Sequence, residues 1–369
     1  MSDISKFDKW LTTDAAAAIV IREHLVPVEG SDGVLFPATY AAAEDKNVFP
    51  GGYNIDPPDG DKNVCLVDSV GSQANRIEPI FAKPDYASLV PQVTVTAGER
   101  SISLLEAGHR AGDALVRCTP LQKTLQDAFK AVLKGDAMPL AKVAPTSLVF
   151  GVWDSRDTQA KLPRLVASTI RAFDVKRLRR SAQFNPATEY MNDGLIEETT
   201  DKATKDAYAK RGFIHVPASG SPGGVIAMGG VRRDATFSLA ALRLLSAGSD
   251  PEKTLALRRY ILGLSLVALT ASTSTYLRQG CNLVPDSNKP REFTMIRSDG
   301  TREASNLSHA DALAFAIAAA KAFGVGPSRE VVFDKDLAKK DVAGEGDVKS
   351  ARKKAAKKPE GNLPASEAP

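Results

Sequence analysis

The sequence predicts an α+β fold, not a doubly wound sheet. Strand-like and helix-like stretches interleave along the 369 residues without regular βα alternation. With 43% hydrophobic residues, the chain can bury a sizeable core. One stretch dense in Gly, Pro, Asp and Asn, "GSDGVLFPATYAAAEDKNVFPGGYNIDPPDGDKN", is too long for a simple connection and reads as an insertion.

The elements follow in order. "AAAAIVIREHLVPV" begins with a core strand. "CLVDSVGSQANRIEP", Cys65 to Pro79, reads as a helix, because Leu66, Val70, Ala74 and Ile77 fall at i, i+4, i+8 and i+11 and Pro79 marks a stop. Its other face carries Asp68, Ser69, Ser72, Asn75 and Arg76. Ser and Asn are poor helix formers, so such a face either packs on another segment through hydrogen bonds or grips an anionic polymer. "SLVPQVTVTAG" reads as a strand, Ile102 to Arg117 and Leu121 to Leu133 as helices, and "TSLVFGVWDS" as a strand with a turn. "KLPRLVASTIRAF" reads as a helix with Leu165, Val166, Ile170 and Phe173 inward, and "VKRLRRSAQF" as a basic extended segment. After an irregular polar stretch, "RGFIHVPASGSPGGVIAMGGVRRDATFSLAALRLL" gives strand, Gly-rich turn, strand and helix. "YILGLSLVALTASTSTYL" ends in a Ser/Thr cluster between arginines and reads as a buried helix, not a membrane span. The expected layout is one elaborated domain over 1–330, with insertions at 30–64 and 185–225, and a disordered basic, polar tail at 331–369. From Lys335 onward that tail holds almost no large apolar residue.

Charge is the main functional signal. The net charge of +4 is only mildly basic, so local clustering must carry the argument. Arg156, Lys161, Arg164, Arg171, Lys176, Arg177, Arg179 and Arg180 face only Asp157 and Asp174 between residues 156 and 180. Arg232 and Arg233 follow the Gly-rich turn directly. Aromatic content of 6% argues for a grip on the nucleic-acid backbone over base stacking on a broad aromatic sheet. Enzymatic constellations are sparse: the four histidines form no metal-binding pattern, and no Walker loop or dinucleotide fingerprint occurs. His109 with Asp113 at i+4 reads as a helix histidine satisfied by a carboxylate, ahead of an oriented general base. Three widely separated cysteines and a start lacking a basic, then apolar, leader predict a reduced, cytoplasmic protein.

Several long motifs occur together and in order: "YNID", "DSVGSQANRIEP", "HRAGDAL", "FGVWDSR", "KLPRLVASTIRAFDV", "RGFIHVPA", "GGVIAMGGVRRDATFSL" and "LRRYILGLSLVALTASTSTYLRQGCNLV". From about Val34 to about Gly324 they resemble the backbone subunit of the subtype I-G (formerly I-U) CRISPR interference complex, of the repeat-associated RAMP superfamily. The resemblance implies an RNA-recognition-motif-like (ferredoxin-like) palm with large finger and thumb insertions. It also implies several copies along one CRISPR guide RNA, each holding the backbone and leaving base edges free for target DNA. The expected partners are guide RNA, target DNA through the guide, copies of the chain and other CRISPR complex subunits, with no membrane, cofactor or metal and no catalytic residue. The alternative is a metal-independent RAMP endoribonuclease using His109 or His215. On side-chain chemistry, the expected RNA contacts are Ser72, Gln73, Asn75 and Arg76, with Arg156, Lys161, Arg164, Arg232 and Arg233 beside them. Lys176, Arg177, Arg179 and Arg180 would serve the guide, the target strand or the filament interface.

Overall fold

The computed structural model describes residues 4–57, 62–272 and 274–343. An antiparallel sheet organises them. Its strands run in the order Tyr276–Arg278, Cys281–Pro285, Ala16–Pro27, Val231–Ser238, Val166–Phe173, Val64–Asp68 and Ile55–Asp56. Glu292–Arg297 also pairs with Ala16–Pro27, and Arg302–Ala304 extends it. The class is α+β, as the interleaved pattern predicts.

Burial alternates along the three central strands, so each has a core face and an open face. Ile19, Ile21, Ala235, Phe237 and Val166 join the main core with the helices Pro251–Thr270 and His309–Phe323. At the other end of the sheet, Leu25, Val231, Ile170, Cys65, Val67, Leu277, Cys281 and Leu283 form a second, smaller core. All residues from Tyr260 to Thr270 are buried, which explains the unbroken apolar run. Among the described residues no helix is long and apolar enough to cross a membrane.

Four local expectations need correction. The helix expected from Cys65 begins only at Val70; Leu66 lies on the preceding strand, and Asp68, expected on the outer face, is fully buried. Residues 166–173 form a strand, not a helix, because β-branched Val166, Thr169 and Ile170 sit between two strand partners and long-range pairing overrides helical spacing. Thr146–Phe150 is a helix, not a strand; it is buried on every side, so it offers no periodicity to read. Ile102–Arg117 is not one helix but the end of a strand, two 3₁₀ turns and the short helix Ala114–Arg117, with Gly108 and Gly112 interrupting it.

The tail expected at 331–369 is ordered at its start. Arg329–Val332 pairs in parallel with Val93–Ala97, residues 335–343 are helical, and Arg117 reaches Asp341 at 2.6 Å. The rest of that tail, 344–369, lies outside the described residues.

Two of these elements meet at His309. Thr270 donates its hydroxyl to the Leu266 carbonyl (2.7 Å), so it accepts from His309 Nδ1 (2.9 Å), while Tyr86 donates to Nε2 (2.8 Å). Burial lowers the imidazole's pKa from its ordinary 6.5, which favours the neutral ring in this network. Below that value the unfolded chain binds a proton that the folded one does not, so stability should fall as pH drops through 6.5 toward the lowered native value. His309→Gln should flatten the melting-temperature profile in that window, relative to the unsubstituted protein. Identical profiles would show that His309 does not contribute.

From the open end of the sheet projects an arm, Val175–Phe184 paired with Val216–Ala227 and carrying the helix Lys202–Arg211 beyond it. Almost every residue of Val175–Phe184 is exposed, so charge does reach both sides of the strand.

Candidate nucleic-acid interface

The helix Val70–Ile77 is held from beneath by one carboxylate. Ser69 caps the helix by accepting from the Ser72 backbone N–H at 3.2 Å. Asp68, just before it, is completely buried and accepts from Gln73 Nε2 (2.7 Å), Arg76 Nε (3.1 Å) and Arg278 Nη2 (2.7 Å). Gln73 in turn accepts from Ser168 Oγ at 2.9 Å. Gln73, expected to contact RNA, is therefore a structural bridge and not a surface ligand: both ends of its amide are spent inside the protein. Ser72 is half-buried, and Asn75 and Arg76 are exposed at the helix edge. Arg76 presents about a third of its side chain while anchored on Asp68.

A buried ion pair joins this helix to the next segment. Arg110 Nε stands 2.7 Å from Glu78 Oε2, and its other nitrogens donate to Asn75 Oδ1 (3.3 Å) and the Gly151 carbonyl (3.4 Å). Burial pushes the Glu78 carboxyl up to about 7 despite the guanidinium. Burial also lowers the pKa of Arg110, and the nearby Arg164 charge adds to that effect. Gly151 has φ +78°, and a Cβ there would sit 3.0 Å from the Arg164 nitrogen, so only glycine fits. Asn75, Arg110, Gly151 and Arg164 thus form one contiguous chain of contacts. Asn75 and Arg76 are exposed on one of these segments, and Lys161 and Arg164 on the other. Arg156 lies exposed in the adjoining turn.

The pair Arg232 and Arg233 splits across the sheet, because successive strand residues point to opposite faces. Arg232 stays on the open face, bidentate on Asp234 (2.9 and 3.0 Å) and over the Phe173 ring at 4.8 Å. Arg233, expected to contact RNA, is 1% exposed and paired with Glu23 at 2.8 Å inside the protein. The structure corrects that expectation. It also adds Arg171, which pairs across the strands with Arg232 on the open face, and Arg22, within 3.8 Å of Asp234. A strand reading of 166–173 would have revealed Arg171, since the alternation puts Thr169 and Arg171 outward.

On the arm, Lys176, Arg177, Arg179 and Arg180 are all exposed. Arg177 and Arg179 line a cavity of about 410 Å³ with Gly51, Gly52, Tyr53 and Pro222. The long loop thus packs back on the arm. Gly224, with φ +98°, donates its N–H to the Tyr53 hydroxyl at 3.0 Å, and any side chain there would strike Val34. Arg180 lies over the Phe36 ring at 6.0 Å.

His24 lies opposite Arg232 on the open face, whereas the two histidines of the endoribonuclease alternative lie off the sheet. His109 is in a turn, not a helix, and it is its backbone N–H that meets Asp113. His215 lies on the arm between Glu189 (2.6 Å) and Asn185 (2.8 Å). Among the described residues no group of three or more His, Cys, Asp or Glu side chains is placed to hold a metal.

Residues 19–177 match the model of a family described as CRISPR-associated protein GSU0053. The match runs from the first strand to the base of the arm, less than half of the chain, and includes the Asp68 hub and Arg164. No curated protein matches the chain.

Proposed function

We propose that the protein is a non-catalytic, repeated subunit of a subtype I-G CRISPR surveillance complex that holds guide RNA by its backbone in the cytoplasm. The similarity to a CRISPR-associated family supports a role in CRISPR defence. The observation that carries the RNA-binding reading is the set of exposed residues Asn75, Arg76, Lys161 and Arg164, on segments that the buried Arg110 ties together. Arg76 is anchored on the buried Asp68, so it is pre-organised for phosphate. The order of the four central strands, Cys281–Pro285 or Glu292–Arg297, then Ala16–Pro27, Val231–Ser238 and Val166–Phe173, supports an RNA-recognition-motif-like palm. The arm and the long loop correspond to its insertions. Other copies of the chain, other complex subunits and target DNA paired to the guide complete the assembly.

Such binding should depend steeply on salt and hardly on RNA sequence. Changing Lys176, Arg177, Arg179 and Arg180 together to Gln should make the slope of log K against log salt shallower by about 3. That figure uses ~0.7 per phosphate contact on a single strand. An unchanged slope would remove the arm from the RNA path. Affinity for a scrambled RNA more than about tenfold weaker at matched salt would overturn backbone recognition. Cleavage of precursor RNA in the presence of chelator would favour an endoribonuclease instead.

A further inference from the structure

The chain has two tryptophans, and they are treated differently. Trp10 is partly buried and stacked on Phe7, with ring centroids 4.3 Å apart. Trp153, in "FGVWDSR", is 56% exposed. A single exposed apolar side chain needs no explanation by itself. Here the surroundings supply one.

Trp153 sits on a rigid support. It pairs with Lys161 across the short antiparallel ladder Val152–Trp153 and Lys161–Leu162. The intervening turn is tied by the buried Asp154, whose Oδ2 accepts from the Thr158 N–H (2.8 Å) and hydroxyl (2.6 Å), and whose N–H donates to the Ala160 carbonyl (2.9 Å). Gln126 holds the turn from outside by donating to Asp157. Gly112 packs directly under the Trp153 carbonyl, which connects this ladder to the Arg110 turn and so to Asn75. Lys161 Nζ lies 5.3 Å from the indole centroid, and the backbone of Arg164 lies against Gly151, two residues before Trp153. A large aromatic ring is therefore displayed on a fixed backbone, with cations beside it, at the border of the proposed RNA surface.

We propose that Trp153 is a stacking platform for one unpaired nucleobase of the RNA, with Lys161 and Arg164 on the flanking phosphates. This rests on the guide-binding reading and adds to it a contact with a base face. The chemistry fits a guide of any sequence, because every base has a π-face and stacking does not read hydrogen-bonding edges. It places one aromatic contact amid recognition that otherwise depends on charge.

Fluorescence tests this directly, since Trp10→Phe leaves Trp153 as the sole indole. The probes are a single-stranded oligoribonucleotide and an abasic ribose-phosphate strand of equal length and charge. We expect saturable quenching with the first and little with the second. Trp153→Ala should weaken binding of the base-bearing strand by about tenfold or more, leave the abasic strand nearly unaffected, and keep the melting temperature. Trp153→Phe should recover part of the loss. If both strands bind equally and neither quenches, the platform is wrong while the guide-binding reading stands. If no RNA binds the unsubstituted protein even at low salt, both fall. If the indole signal instead follows protein concentration without RNA, Trp153 belongs to an interface between copies and the proposal is overturned.

Discussion

Arg233→Ala is expected to destabilise the protein by about 3–5 kcal/mol, the usual effect of breaking a buried ion pair from one side. Glu23 and Arg233 are directly opposed across the two central strands, both nearly inaccessible, with 2.8 Å between nitrogen and oxygen. Removing the guanidinium leaves the buried carboxylate without its partner and opens a void of several methylenes. Replacing both partners with apolar side chains of similar size should recover much of the loss. The adjacent Arg232→Ala removes an equal charge from the open face, where its pair with Asp234 is partly solvated, and should cost under about 1 kcal/mol. Chemical denaturation of the two single variants is decisive: equal destabilisation would mean that the alternation of faces has been misassigned.

The second large effect lies at Asp68. Asp68→Ala should cost about 2–3 kcal/mol, below the full figure for a buried pair because Arg76 and Arg278 each reach solvent. It should also weaken RNA binding, since Arg76 loses the anchor that aims it. Arg76→Ala should be milder in stability, because Arg278 and Gln73 still hold the carboxylate. If Asp68→Ala impairs folding while RNA affinity per folded molecule stays unchanged, Arg76 is not part of the RNA surface. Urea denaturation alongside RNA titration of the same preparations separates the two effects.

How far these features were legible in the sequence follows from how local their causes are. The polar outer edge of Val70–Ile77 was readable, because a helix face depends on spacing within a few residues. That Asp68 would turn inward was not, since its partner Arg278 lies 210 residues away and Gln73 is itself held by Ser168, 95 residues from it. Arg232 and Arg233 looked equivalent as a basic pair. Only the register with Glu23 and the open face separates them. Residues 161–173 were misread because Leu165, Val166, Ile170 and Phe173 satisfy a helical spacing, while the strand's inward set, Val166, Ser168, Ile170 and Ala172, includes a serine and an alanine that do not mark it. Trp153 drew no notice as a single letter in a motif, because exposure is a property of the packed chain.

The arm also has a colloidal consequence. Among the described residues its strand Val175–Phe184 pairs on one side only, so its outer backbone edge is open to hydrogen bonding by any extended chain, including the same strand of another molecule. Lys176, Arg177, Arg179 and Arg180 make two such edges repel, and the bulges between Arg177 and Arg179 and between Arg180 and Ala182 disturb their register. A polyanion that neutralises those cations would remove the repulsion while occupying the edge. Preparations stripped of nucleic acid at high salt, where the repulsion is screened and nothing covers the strand, should therefore be the ones that aggregate.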